Sequence, residues 1–206
     1  METLRQLFLD RELKGPSPAF TTVQLLYAVF LLGSHTVLGR KRLTDYLGIG
    51  EGSVRTMLTR LTEKGLAVST QKGLSLTDKG RELYDYLKKF LTAVKAVSFN
   101  MPWQAQHNHG LVVKGLADRV STGVEERDEA IRNGASAAMV LTYMFDGLYM
   151  PRVANLTVEQ PHFARQVVEF FKPSVNDVVI IAGADDDVKA RYAALAAAVK
   201  LVVGKA

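Results

Sequence analysis

Arg55, Thr56, Thr59 and Arg60, following Gly52 and Ser53, are the residues of this sequence whose types and spacing best suit contact with a polyanion. Arginine is the usual bidentate partner of guanine in the major groove, and threonine hydroxyls both donate and accept. Small residues at a helix start leave the first N–H groups open to a phosphate oxygen. Arg40, Lys41 and Arg42 upstream, and Lys72 downstream, supply further cations where such a motif meets the backbone. The chemistry these residues offer is the binding of duplex DNA.

Four other sets offer different chemistry. His107 and His109 beside Trp103 offer two imidazoles, and Asp185, Asp186 and Asp187 offer three carboxylates for a divalent cation. No carboxylate or third histidine lies near the pair in sequence, and acids opening a helix cap it and complement its positive end. The reading adopted is therefore a polar linker anchored by Trp103, a capped helix, and no metal. Arg127, Arg132 and Arg152 are the candidates for a small-molecule effector, against the plainer reading of a solvated face in which Asp128 pairs with Arg132 at i, i+4. Ile181-Ala182-Gly183-Ala184 lies where a dinucleotide fold keeps its glycine-rich loop, but the three following aspartates would repel a phosphate. No nucleophile triad, paired-carboxylate motif or P-loop is present, so no enzymatic activity and no cofactor are expected.

The elements that would position these groups follow from periodicity. Glu2 to Leu13 reads as a short helix ended by Gly15-Pro16-Ser17-Pro18. Thr21 to Leu32 reads as a scaffold helix with Thr21 or Thr22 as N-cap, Gly33 as its stop, and Val23, Leu26, Tyr27 and Phe30 at helical spacing. Arg40 to Leu47, the turn Gly48-Ile49-Gly50 and a helix from Glu51 to Lys64 form a helix-turn-helix in which Val54, Met57, Leu58 and Leu61 face a core. Leu66 to Ser69 and Leu74 to Leu76 make a hairpin with a basic tip, the wing. A helix from Thr77 or Asp78 to about Val97 carries Leu83, Leu87, Phe90, Val94 and Val97 in a seam that suits a partner helix.

Beyond it, residues 99–110 read as a linker, and residues 111–206 as a small α/β-type domain. That domain is expected to hold strands at Leu111–Val113, Ala138–Phe145, Leu148–Met150 and Asp177–Ala182. Its helices are expected at Val124–Asn133, Pro161–Phe171 and Asp186–Val203, with Asp146-Gly147 as a hairpin turn. The expected fold class is α+β, with a winged helix-turn-helix domain over residues 1–98 ahead of that second domain.

Composition fits this division. The chain has 206 residues, 48% of them hydrophobic, and no cysteine, which removes disulfides and thiolate chemistry together. The net charge of +5 is concentrated: residues 1–95 hold 15 Lys and Arg against 9 Asp and Glu, and residues 96–206 hold 11 against 12. Met1 to Lys14 is charged throughout, unlike a signal peptide, and no run of about 18 apolar residues occurs, so a cytoplasmic protein without membrane contact is expected.

Gly39-Arg40-Lys41-Arg42-Leu43, Gly50-Glu51-Gly52-Ser53-Val54-Arg55-Thr56 and Leu76-Thr77-Asp78-Lys79-Gly80 resemble prokaryotic winged-helix regulators, and the last segment resembles the LTxKG that follows the wing in many of them. Combined with Arg127-Asp128-Glu129-Ala130-Ile131 and Gly134-Ala135, the chain resembles a group of archaeal proteins that share a C-terminal domain of unknown function. The resemblance implies an archaeal source and a regulatory role, and no reaction. The expectation is a transcriptional regulator that binds duplex DNA as a homodimer, its C-terminal domain dimerising, sensing a ligand, or both. The alternatives are a metabolic enzyme or ligand-binding protein with a fused winged helix, and a docking module of the transcription machinery.

Overall fold

The computed structural model describes residues 20–204, and the expected helix at Glu2 to Leu13 lies outside them. The chain divides into two units, Met1–Lys89 and Phe90–Ala206.

In the first unit, α1 (Thr22–Ser34) opens with a capping box: the Thr21 hydroxyl accepts from the Gln24 N–H, and the Gln24 side chain accepts from the Thr21 N–H. Its buried residues are Leu25, Leu26, Ala28, Val29, Leu31 and Leu32. The expected stripe of Val23, Leu26, Tyr27 and Phe30 is therefore rotated, because nearly every position of this helix is apolar and periodicity alone does not select the inner face. Gly33 is not the stop either. It lies within the helix, where a Cβ would strike the ring of Tyr84.

The next two helices match expectation: α2 (Arg40–Leu47) buries Leu43 and Leu47, and α3 (Glu51–Glu63) buries Val54, Met57, Leu58 and Leu61. Between them Gly48 takes the left-handed conformation at φ 65°, which glycine adopts without strain. The hairpin of β1 (Ala67–Thr70) and β2 (Gly73–Leu76) turns through Gln71-Lys72, with Leu38 bridging to Leu74 by two backbone hydrogen bonds of 2.9 and 3.0 Å.

Helix α4 (Asp78–Phe90) buries Leu83, Tyr84 and Leu87 and stops seven residues before Val97. The expected seam thus fails: Val94 and Val97 are not helical, and Lys95–Ala96 forms β3 against His109 and Gly110. Backbone pairing outweighs helical periodicity here, since the Thr92 N–H donates to the Val112 carbonyl and the Lys114 N–H to the Phe90 carbonyl.

In the second unit, β3 joins β4 (His107–Val113), β5 (Ala137–Met144), β6 (Gly147–Met150), β7 (Ala154–Asn155) and β8 (Asp177–Ala184) in one antiparallel sheet of order β3-β4-β8-β5-β6-β7. The mixed fold is α+β. β8 sits at the middle and is buried along its whole length, as a strand covered on both faces must be. Val112, Met139, Leu141, Val179 and Ile181 pack with α6 (Leu156–Glu159) and α7 (Pro161–Phe171), through Leu156, Ala164, Val167 and Phe171. The alternate residues Leu111, Val140, Val178 and Ile180 are buried on the opposite face, beneath α5 (Val124–Arg132) and α8 (Asp187–Val203).

Residues 99–110 are not a linker. Phe99 makes edge-to-face contacts with Phe163, Phe170 and Phe171 at 5.5 to 6.5 Å, and strand pairing begins at His107. The boundary accordingly falls at Lys89 and Phe90 rather than near 98. The β5–β6 turn is Phe145-Asp146, one residue earlier than expected; Gly147 pairs with Met144 at φ 148°, where a Cβ would lie 2.5 Å from the Thr157 hydroxyl oxygen. Gly183 belongs to β8 rather than to a loop, which disposes of a dinucleotide site, and its bare Cα makes room for the Trp103 indole that donates to Asn108 at 2.7 Å. Among the described residues no helix is long and apolar enough to cross a membrane.

Candidate nucleic-acid interface

Helices α2 and α3 both start at a glycine, Gly39 and Gly50, and neither start has a side-chain cap. Their first N–H groups are left to solvent or a ligand. Arg40, Lys41, Arg42, Arg55 and Lys72 are exposed, and none has an ion-pair partner among the described residues. Gly52 is exposed, Ser53 is half-buried, and Thr56 and Thr59 are exposed on α3. The two threonine hydroxyls donate to the carbonyls of Gly52 and Arg55 at 3.1 and 3.2 Å, so their oxygen lone pairs face outward as acceptors.

Arg60 departs from this arrangement. It is half-buried with its guanidinium 5.3 Å from the centre of the Phe20 ring, a cation–π contact that ties it to the unit's own core edge. The open face thus contains the predicted residues other than Arg60.

A Cβ added at Gly39, Gly50 or Gly52 meets nothing within 4 Å, and the first two have ordinary extended φ values of −68° and −61°. Packing and backbone geometry place no demand for glycine at these positions. Elsewhere in the unit, glycine has an internal reason, as at Gly33 against Tyr84.

The second unit brings together two sets that the sequence left apart. His109 Nε2 lies 2.6 Å from Asp187 Oδ1, His107 Nδ1 is 3.9 Å from the same oxygen, and Arg191 donates to the other carboxylate oxygen. Asp186 instead caps α8, accepting from the Lys189 N–H at 2.9 Å, and Asp185 is exposed. Among the described residues no group of three ligands is poised for a metal. The hydrogen bond from His109, helped by the Arg191 guanidinium and opposed by partial burial, holds the Asp187 carboxyl below the usual carboxylate range.

A depressed folded-state pKa adds stability above that range and loses it as pH falls through it. Replacing Asp187 by Asn should therefore cost about 1 kcal/mol at neutral pH, a charge-assisted bond discounted for its half-exposed setting. Urea melts of parent and variant should converge as the pH is lowered below the usual carboxylate range; an unchanged gap would count against the ionic contribution.

Arg127, Arg132 and Arg152 are not gathered into a site. Arg127 pairs with Asp128 at 3.0 Å and Arg132 with Glu129 at 3.4 Å, in place of the expected Asp128–Arg132 bridge, and all three arginines are exposed. Neither of two surface cavities, one beside α5 and one between the β5–β6 turn and α7, is lined by any of them.

Residues that the sequence marks only by resemblance, as the ending of a wing, organise the first unit. The Thr77 hydroxyl donates to the Gly65 carbonyl at 2.5 Å and accepts from the Gly80 N–H at 3.1 Å. Lys79 donates to the Lys64 carbonyl at the end of α3. The Leu76–Gly80 segment is therefore a clip that docks α4 to the exit of α3.

Comparison with known proteins agrees with this two-part build. Residues 22–82 match the PH0730-like N-terminal domain, and residues 104–201 match a domain of unknown function, DUF4443. No curated protein matches the chain. The solved structure described as hypothetical protein PH0730 from Pyrococcus horikoshii OT3 aligns with a TM-score of 0.67 and 33% sequence identity, over 88% of this chain and 92% of that one. With that identity over nearly all of both chains, this protein belongs to the PH0730-like family, an N-terminal PH0730-like domain followed by a DUF4443 domain.

Proposed function

We propose that the chain is a DNA-binding regulator whose first unit is a winged helix, with α3 as the reading helix and the β1–β2 hairpin as the wing. The observation that supports this most is the bare start of α3. Gly52, inside the first turn, stands free of any packing demand, beside five cations with no ion-pair partner among the described residues. A fold gains from alanine at an open helical glycine and from pairing its surface charges, whereas a close-fitting polyanion requires the opposite of both. In this reading Gly52 and the α3 N–H groups meet a phosphate. Arg55, Thr56 and Thr59 face base edges, and Arg40, Lys41, Arg42 and Lys72 contact the flanking backbone.

Fluorescence anisotropy on a labelled random duplex tests it. With about four phosphate contacts, affinity should fall on the order of a hundredfold between about 50 and 200 mM salt. Lys72→Ala should weaken binding uniformly across sequences and lower the salt slope by about 1. Affinity independent of salt would remove the reading.

A further inference from the structure

The helical seam ends at Phe90, and among the described residues the second unit carries an exposed apolar surface beside a groove. The four most exposed large apolar side chains among the described residues, Phe145, Val158, Val153 and Val175, all belong to the second unit. Phe145 is 94% exposed at the tip of the β5–β6 hairpin. A lone surface valine is ordinary; a phenylalanine held out on a two-residue turn beside an open groove is not. The groove, of 610 Å³, has Tyr143, Ala164 and Val168 as its more buried lining and the exposed charges Asp146, Arg165 and Glu169 at its rim.

We infer that this surface is an isologous contact between two copies of the chain, in which each Phe145 enters the groove of the other. Knob and hole lie on the same face, which a two-fold axis requires and a heterologous partner does not. The charges agree. Arg165 and Glu169 stand one helical turn apart on α7, yet among the described residues they form no ion pair with each other or with any other group. Across a two-fold axis, Arg165 of one copy meets Glu169 of the other twice. An aromatic anchor ringed by charges is the usual composition of an interface centre and its rim.

The inference rests on the regulator reading only for its purpose, that of presenting two reading helices to two half-sites, and it is tested without DNA. Sedimentation equilibrium of the full chain should give twice the chain mass, and Phe145→Arg should raise the dissociation constant at least tenfold. Because Phe145 is exposed in the single chain, the variant's circular dichroism should be unchanged, and its melting should lose only the concentration dependence that association gives. Arg165→Glu and Glu169→Arg should each be monomeric alone and form a dimer when mixed, since the mixture restores both pairs. A monomeric parent, a dimer indifferent to Phe145→Arg, or a mixture that stays monomeric would overturn the assignment. Anisotropy on a single half-site with the Phe145→Arg protein separates this from the DNA reading, which survives if affinity there persists.

Discussion

Gly80→Ala should destabilise the first unit by about 3 kcal/mol, at the upper end of what an overpacked core site costs. In most helices the same change stabilises by about 0.5 to 1 kcal/mol, because alanine restricts the unfolded chain. The sign reverses here because a methyl group at position 80 would overlap the carbonyl oxygen of Leu66, a backbone atom that cannot rotate away. That carbonyl also accepts the Thr77 N–H at 3.1 Å, so shifting it strains the clip that docks α4. For a unit of this size, about 3 kcal/mol lowers the melting midpoint by about 10 to 20 °C. Far-UV circular dichroism follows the helices of both units, while Trp103, the sole tryptophan, reports on the second unit alone. The expected result is early helix loss with an unshifted tryptophan transition. A variant as stable as the parent would mean that the Leu66 and Gly80 backbones do not approach as closely as described.

The clip shows why a motif can be legible as a resemblance and opaque as physics. The letters Leu76-Thr77-Asp78-Lys79-Gly80 were readable in the sequence as a familiar ending to a wing. What each letter does depends on Gly65, Lys64 and Leu66, eleven to fifteen residues earlier, and only the folded chain brings those carbonyls to Thr77, Lys79 and Gly80. By contrast, α2, the apolar face of α3 and the helix Pro161–Phe171 were readable almost to the residue, because each alternates apolar and polar positions strongly enough to fix both its ends and its inner side.

Legibility failed where pattern was saturated or where partners lay far away. Helix α1 is apolar on nearly all sides, so its inner face could not be chosen in advance. The run from Phe90 to Val97 has helical spacing, but its backbone groups are claimed by β4, whose sequence lies beyond a stretch that looked like a linker. Distance along the chain also hid the meeting of His109 with Asp187, 78 residues apart, the histidine lacking a nearby carboxylate in sequence and the aspartate reading as part of a helix cap. Of the residues that type and spacing single out for the candidate interface, all but Ser53 and Arg60 are exposed, and Arg60 is engaged elsewhere. Its neighbour Phe20 sits ahead of α1, too far along the chain for helical spacing to reveal the stacking.

Gly52→Glu should leave the fold intact and abolish most DNA affinity, a separation that distinguishes a working surface from a merely solvated one. Position 52 lies in the first turn of α3, exposed, with no atom within 4 Å of an added Cβ. Glutamate is a better helix former than glycine and its charge complements the positive end of the helix, so stability should be unchanged or rise by about 0.5 to 1 kcal/mol. Against a phosphate the same substitution adds bulk and a negative charge where the uncapped N–H groups would otherwise donate. Affinity for random duplex at low salt should fall at least about tenfold, with part of the loss persisting at high salt because a steric block is not screened. Gly52→Ala separates the two effects, since it brings the stability gain with a small methyl group and no charge, and it should retain most of the affinity. If Gly52→Glu binds as the parent does, the start of α3 does not face the nucleic acid, and the cations of α2 and the hairpin would have to act without it.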